Sequence, residues 1–127
     1  MLDSLLRPKS IAVVGASRRP GSIGNGMLKH LVGSGFTGPV YPVNPTADSV
    51  NSVPSFPSIG ALPTVPDLAV IVVPKHLVLG VVRECVQTGV KGIVVITAGF
   101  REVGGDGVEL ERELLALVRE NGLRMVG

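Results

Sequence analysis

The sequence holds one cysteine, no tryptophan and only four other aromatic residues, one Tyr and three Phe, in 127 positions. A lone cysteine excludes an internal disulfide and suits a reducing compartment, so a cytoplasmic location is expected. With two histidines beside it, a closed zinc site, which usually takes four ligands, is not expected and no metal is assigned. Charge is also sparse: 12 Lys and Arg stand against 10 Asp and Glu, for a net +2, and no basic cluster goes beyond Arg18 and Arg19. A nucleic-acid binder would present a basic face interleaved with aromatics, so no nucleic-acid partner is expected. No apolar run approaches the roughly 18 residues that span a bilayer, so no membrane partner is expected either. Residues 1–8 carry one Arg and no apolar stretch of the kind a signal peptide needs.

What is present is small, branched and apolar. Apolar residues make up 45% of the chain, and with so few aromatics the core must be Val, Ile, Leu and Ala. That composition suits parallel strands covered on both faces. The length predicts one domain, at roughly 100–200 residues per domain, with about two thirds of its unfolded surface buried. Short apolar runs bounded by Gly or Pro predict buried strands at 11–15 (IAVVG), 68–73 (LAVIVV) and 92–97 (GIVVIT). Residues 40–43 (VYPV) predict a fourth, with Pro42 placing it at an edge or a strand end. Residues 123–126 (LRMV) predict the last.

Helical periodicity fills the intervals. Ile23, Met27, Leu28, Leu31 and Val32 share one face over 23–32. Val78, Val82, Cys85 and Val86 do so over 75–88, with Gly89 as a stop. Leu110, Leu114, Leu117 and Val118 do so over 106–121, leaving Glu109, Arg112, Glu113 and Glu120 to water. The Pro- and Ser-rich stretch 44–67 has room for a short edge strand near 50–54 and one helical turn near 58–62. Strand–helix alternation implies a Rossmann-type α/β fold, an open parallel sheet of about five to six strands with helices on both faces. Placing 68–73 beside 11–15, with the short edge pieces on the other side, puts the change of strand order at the C-terminal end of the first strand. Ligands of open α/β sheets bind there.

The turn at that point reads GASRRPGSIGNG over 15–26. It follows a buried strand and opens a helix, the context of a phosphate-binding loop. Free N–H groups and the positive end of the helix dipole attract an anion there, Gly15, Gly21 and Gly24 let backbone come close, and Ser17, Arg18 and Ser22 add donors. The alternative is that Gly24 and Gly26 only permit tight helix–sheet packing. The spacing departs from G-x-G-x-x-G, and the end of the second strand carries Asn44, Pro45 and Thr46 where a nicotinamide dinucleotide wants an acidic side chain. An NAD(P)-binding redox domain is therefore the weaker reading. Two further turns, at Val73–Pro74 and at 97–100 (TAGF), close their strands at the same end. Each is also compatible with an ordinary strand–helix connection. No catalytic group emerges. His30 falls late in its helix, His76 begins one without an acidic orienter, and Cys85 lies on an apolar face, so no nucleophile has a base in reach.

Together the segments 11–17 (IAVVGAS), 41–45 (YPVNP), 67–74 (DLAVIVVP) and 89–100 (GVKGIVVITAGF) resemble the N-terminal CoA-binding domain of NDP-forming acyl-CoA synthetases, a domain shared by the α subunit of succinyl-CoA synthetase. The resemblance is collinear over 6–127. It implies coenzyme A as ligand, with its phosphates on Ser17 to Ile23, Arg18 as an ion-pair partner, and Asn44 and Pro45 bordering the nucleotide. It further implies Val73 and Pro74 near the adenine or upper pantetheine arm, and Thr97, Ala98 and Gly99 lining the path of the arm. Many relatives carry a Lys just after the Asn-Pro pair, where this chain has Thr46 and Ala47. In the family, a phosphohistidine domain follows the last strand and an ATP-grasp domain or subunit is a partner. The chain is therefore expected to be one domain of a longer acyl-CoA ligase. The same domain also occurs in proteins ending in a GNAT-type lysine acetyltransferase, where it would be regulatory.

Overall fold

The computed structural model describes residues 7–96 and 104–126. In chain order the elements are β1 (Ile11–Val14), α1 (Ile23–Gly33), β2 (Val40–Val43), β3 (Ser49–Val50), β4 (Val53–Pro54), a 3-10 turn (Ile59–Ala61), β5 (Leu68–Ile71), α2 (Lys75–Thr88), β6 (Gly92–Val95), α3 (Gly104–Glu120) and β7 (Arg124–Val126). Five strands form one parallel sheet in the order β2-β1-β5-β6-β7. The in-register pairs Ile11 with Val40 and Ile11 with Leu68 start the two ladders that flank β1. The sheet is α/β and Rossmann-like, at the low end of the expected five to six strands.

Side-chain alternation along each strand divides the core between two faces. Ala12, Val14, Ala69, Ile71, Ile93 and Val95 pack with Val78, Val82 and Cys85 of α2 and Leu114 of α3. Ile11, Val13, Leu68 and Val70 point the other way, onto Met27, Leu28 and Leu31 of α1. Both faces are thus covered by helices, which is why the strands read as unbroken apolar runs. Gly89 ends α2, its N–H returning to the carbonyls of Cys85 at 3.0 Å and Val86 at 3.3 Å. Among the described residues no helix is long and apolar enough to cross a membrane.

Two expectations need correction. Ile23 and Val32 are not inward-facing: they stand 62% and 52% exposed. The buried face of α1 runs through Gly24, Asn25 and Leu28, and Ile23 is rotated about 100° from Gly24. The segment 50–54 is not an edge strand of the main sheet. It folds back as the antiparallel hairpin β3–β4, because Asn51 and Ser52, at φ 50° and 69°, make the doubly left-handed two-residue turn that hairpins favour. The outer edge of β2 is met instead by Phe56, whose N–H donates to the Pro42 carbonyl at 3.0 Å and whose carbonyl accepts from Asn44 N–H at 2.9 Å. Pro42 lies on the edge strand as expected, with its donor-less nitrogen on the outer side, where β1 needs nothing from it.

Burial pushes the Cys85 thiol up from its ordinary 9.0 to about 12, with the adjacent Glu84 charge adding to the effect. Cys85 should therefore resist a thiol reagent at pH 8 in the folded protein and react in urea; rapid labelling of the native state would contradict this. Because the pKa is raised in the folded state, the thiol's contribution to stability is complete below the ordinary value of 9.0. It is lost as pH rises from there toward 12.

Candidate functional site

The turn after β1 is fixed by two backbone approaches that tolerate no side chain. Gly15 sits at φ +97°, and a Cβ there would fall 1.9 Å from the Val72 carbonyl oxygen. A Cβ on Gly24 would fall 2.1 Å from the Gly15 carbonyl oxygen. The first turn of α1 therefore rests directly on the end of β1, and β1 on the end of β5. Gly26 meets nothing within 4 Å, so tight packing accounts for Gly24 but not for Gly26.

Side chains then stitch the loop to its neighbours. Ser22 caps α1: its hydroxyl accepts from Asn25 N–H at 3.2 Å and donates to the Arg19 carbonyl at 2.8 Å. The Ser17 hydroxyl accepts from Arg19 N–H at 3.0 Å. Asn25, 2% exposed, donates from Nδ2 to the Ser17 carbonyl at 2.7 Å and to Asn51 Oδ1 at 3.1 Å. Asn44 donates to the Ala16 carbonyl at 2.9 Å while its Oδ1 accepts from the N–H groups of Thr46 and Ala47. Arg18 Nε donates to the Ser49 carbonyl at 2.7 Å, leaving an exposed guanidinium anchored at one nitrogen.

This arrangement leaves donors over. The cap takes the N–H of Asn25, but those of Gly21, Ile23 and Gly24 donate to no described residue. Unpaired amides at a helix start, with an arginine held beside them, form an anion-receptive loop.

Beside the loop a cleft of about 310 Å³ opens at the C-terminal ends of the strands. Val14, Gly15, Val43, Pro45 and Val73 form the sheet side; Leu77, Gly80, Val81 and Glu84 of α2 form the helix side; Pro57 and Ser58 close it. Of the residues singled out from sequence, Gly15, Pro45 and Val73 meet in the cleft. Ser17, Arg18, Gly21, Ser22, Ile23 and Gly24 form the loop, and Asn44 ties the two together. Pro74 is exposed as the residue preceding α2. Thr97, Ala98 and Gly99 lie outside the described residues. His30 and His76 are exposed, and Cys85 is buried and free.

Asn25, Ser58, Leu77, Gly80, Val81 and Glu84 were missed by the sequence reading. Asn25 lies three residues before Leu28 on the buried helix face, and a polar residue at such a position signals a structural hydrogen bond. Leu77, Val81 and Glu84 recur at helical spacing on a stripe beside the core stripe of α2, which a single-face reading passes over. Ser58 had no signal, because only tertiary folding brings it to α2.

The fold and site define a Rossmann-like α/β domain whose first helix starts with unpaired amides close to a largely apolar cleft. The sequence profile of the CoA binding domain family matches residues 9–127, and the chain belongs to that family. It is 39% identical to the α subunit of acetate–CoA ligase [ADP-forming] I of Pyrococcus furiosus, an alignment covering 99% of this chain and 28% of that one. It is 41% identical to 4-hydroxybutyrate–CoA ligase [ADP-forming] of Nitrosopumilus maritimus, covering 100% and 18%. Among solved structures, dinucleotide forming acetyl-coenzyme A synthetase 1 of Ca. Korarchaeum cryptofilum, in complex with phosphate and ADP, superposes with a TM-score of 0.93 at 46% identity, covering 100% of this chain and 27% of that one. A conserved hypothetical protein of Pyrococcus furiosus superposes at 0.73 with 33% identity, covering 93% and 91%. The chain thus spans less than a third of the length of the curated ligases it matches.

The glycines make contrasting predictions. Gly15→Ala and Gly24→Ala should each lower stability by at least about 2–3 kcal/mol, from overlap with fixed carbonyls and, at Gly15, a strained φ. Gly26→Ala, inside a helix with open space, should be neutral or stabilise by up to about 1 kcal/mol. Urea denaturation of the three variants checks the order, and equal effects would contradict it.

Proposed function

We propose that the chain binds coenzyme A, with its phosphates on the loop Ser17–Gly24 and its nucleotide in the cleft between β1, β2, β5 and α2. The observation that carries this reading is the juxtaposition, at one sheet edge, of unpaired loop amides and an apolar slot, in a chain of the CoA binding domain family. Amides of Gly21, Ile23 and Gly24 hold phosphate oxygens, and Arg18 supplies charge. Asn44 and Pro45 border the nucleotide, Val73 and Pro74 flank the base or the upper pantetheine arm, and Thr97, Ala98 and Gly99 line the route to the thiol. Where many relatives have a Lys after the Asn-Pro pair, Thr46 spends its hydroxyl on Asn44 Oδ1 at 3.2 Å. Arg18 is then the chief cation beside the loop.

The intact protein on this reading is a cytoplasmic NDP-forming acyl-CoA ligase, interconverting acid, CoA and NTP with acyl-CoA, NDP and phosphate. This chain supplies CoA binding, while phosphohistidine and ATP-grasp parts supply the chemistry. The relatives named as ADP-forming CoA ligases support it.

Calorimetric titration with CoA tests the binding. Saturable heat is expected, weakened about tenfold or more in Arg18→Ala and falling with added salt, since exposed charge pairs are screened. No heat and no thermal shift at millimolar CoA, or a shift produced by NADH and not by CoA, would overturn the reading.

A further inference from the structure

The helix side of the cleft has a composition that the fold alone does not require. Leu77 leaves 47% of its surface exposed. Gly80 interrupts the middle of α2, at a helix-propensity disadvantage of about 1 kcal/mol relative to Ala, although a Cβ there would meet nothing within 4 Å. Packing in the free protein therefore gives no reason for either residue. Both line the cleft, as do Val81 and Glu84, so α2 presents a stripe with an apolar end, a gap and a carboxylate. A side chain missing over open space makes room for a flat group against the helix backbone.

Glu84 terminates the slot. Its Oε2 accepts a long hydrogen bond, 3.4 Å, from Gly60 N–H, and a carboxylate has about four acceptor sites. Glu84 follows Leu77 by seven positions, about 10 Å of helix, so the carboxylate lies toward the end of the slot away from the turn at Val73 and Pro74. A carboxylate in a slot whose other lining residues are Val, Leu, Pro and Gly with the single hydroxyl of Ser58 favours a ligand edge that donates hydrogen bonds. An adenosine nucleotide anchored by its phosphates at the loop carries such an edge, the exocyclic amino group on C6.

We infer that Glu84 is a specificity-determining residue that accepts a hydrogen bond from the C6 amino group of the bound base, and that Gly80 provides the space for the ring. The assignment rests on the coenzyme A reading and goes beyond it by selecting 6-amino over 6-oxo purines. A site built around a ligand N–H rejects the analogue that lacks it, because the acceptor is left facing a carbonyl oxygen.

The test compares adenosine 3′,5′-bisphosphate, the nucleotide part of CoA, with its inosine counterpart by calorimetry, alongside CoA itself. The wild-type protein should prefer the adenosine compound at least tenfold. Glu84→Gln keeps an acceptor for Gly60 and adds an amide that can donate to a C6 oxygen. It should bring the ratio to within about twofold with the melting temperature unchanged. Gly80→Leu should keep or raise the melting temperature, yet weaken the adenosine compound at least tenfold by filling the slot. A wild-type ratio near unity, or one that survives Glu84→Gln, overturns the assignment while CoA binding stands. If neither CoA nor the bisphosphate binds, the reading beneath it falls as well.

Discussion

The close approach of three backbone segments at the C-terminal edge of the sheet is the constraint on which the site depends. Gly15 lies against Val72, and Gly24 lies against Gly15, each without room for a single methyl group. These contacts bring the first turn of α1 down onto the end of the sheet, where strand order changes between β1 and β5. The same contacts leave the end of β1 bare enough to be one wall of the cleft. A side chain at Gly24 would push the helix start off the end of β1, and one at Gly15 would push the end of β1 off the end of β5.

Around that contact the polar groups divide their work. Ser22, Asn25 and Asn44 satisfy carbonyls and amides of the loop itself, which stiffens it without consuming the amides of Gly21, Ile23 and Gly24. The hairpin β3–β4 joins in through Asn51 and the Ser49 carbonyl, so a segment with no partner in the main sheet supports the loop from outside. A preorganised loop gives up less conformational freedom when an anion arrives, which favours affinity. Positive charge enters through Arg18 alone among the loop's tethered side chains, held by one nitrogen so that the rest of its guanidinium remains available.

Much of this architecture was readable from the sequence. Runs such as IAVV and LAVI are strands because both their faces are covered, and three helices follow from periodicity that survives in Leu28, Val82 and Leu114. The turn GASRRPGSIG was legible as a glycine-dependent strand–helix connection, and Gly15 and Gly24 are the positions where backbone approaches too closely for a side chain. What escaped has a common physical cause: it depends on contacts distant along the chain. The hairpin at 49–54 hides in a Pro- and Ser-rich stretch because its signal is two consecutive left-handed residues, neither of them glycine. Ile23 and Val32 fit an apolar helical stripe, but the sheet is not beneath them. Pro57 and Ser58 join Gly80 and Glu84 in lining the cleft only after β2 and α2 have taken their places, so that wall has no local signature.

The central claim is that ligand phosphates lie on the unpaired amides of the loop. Amide chemical shifts of the isotopically labelled protein, followed as coenzyme A is added, test it most directly. The account predicts that the largest movements fall on Gly21, Ile23 and Gly24, with smaller ones on Val73, Leu77 and Gly80. Movements concentrated on the groove between α3 and β7, around Leu115 and Arg119, with the loop amides still, would contradict it.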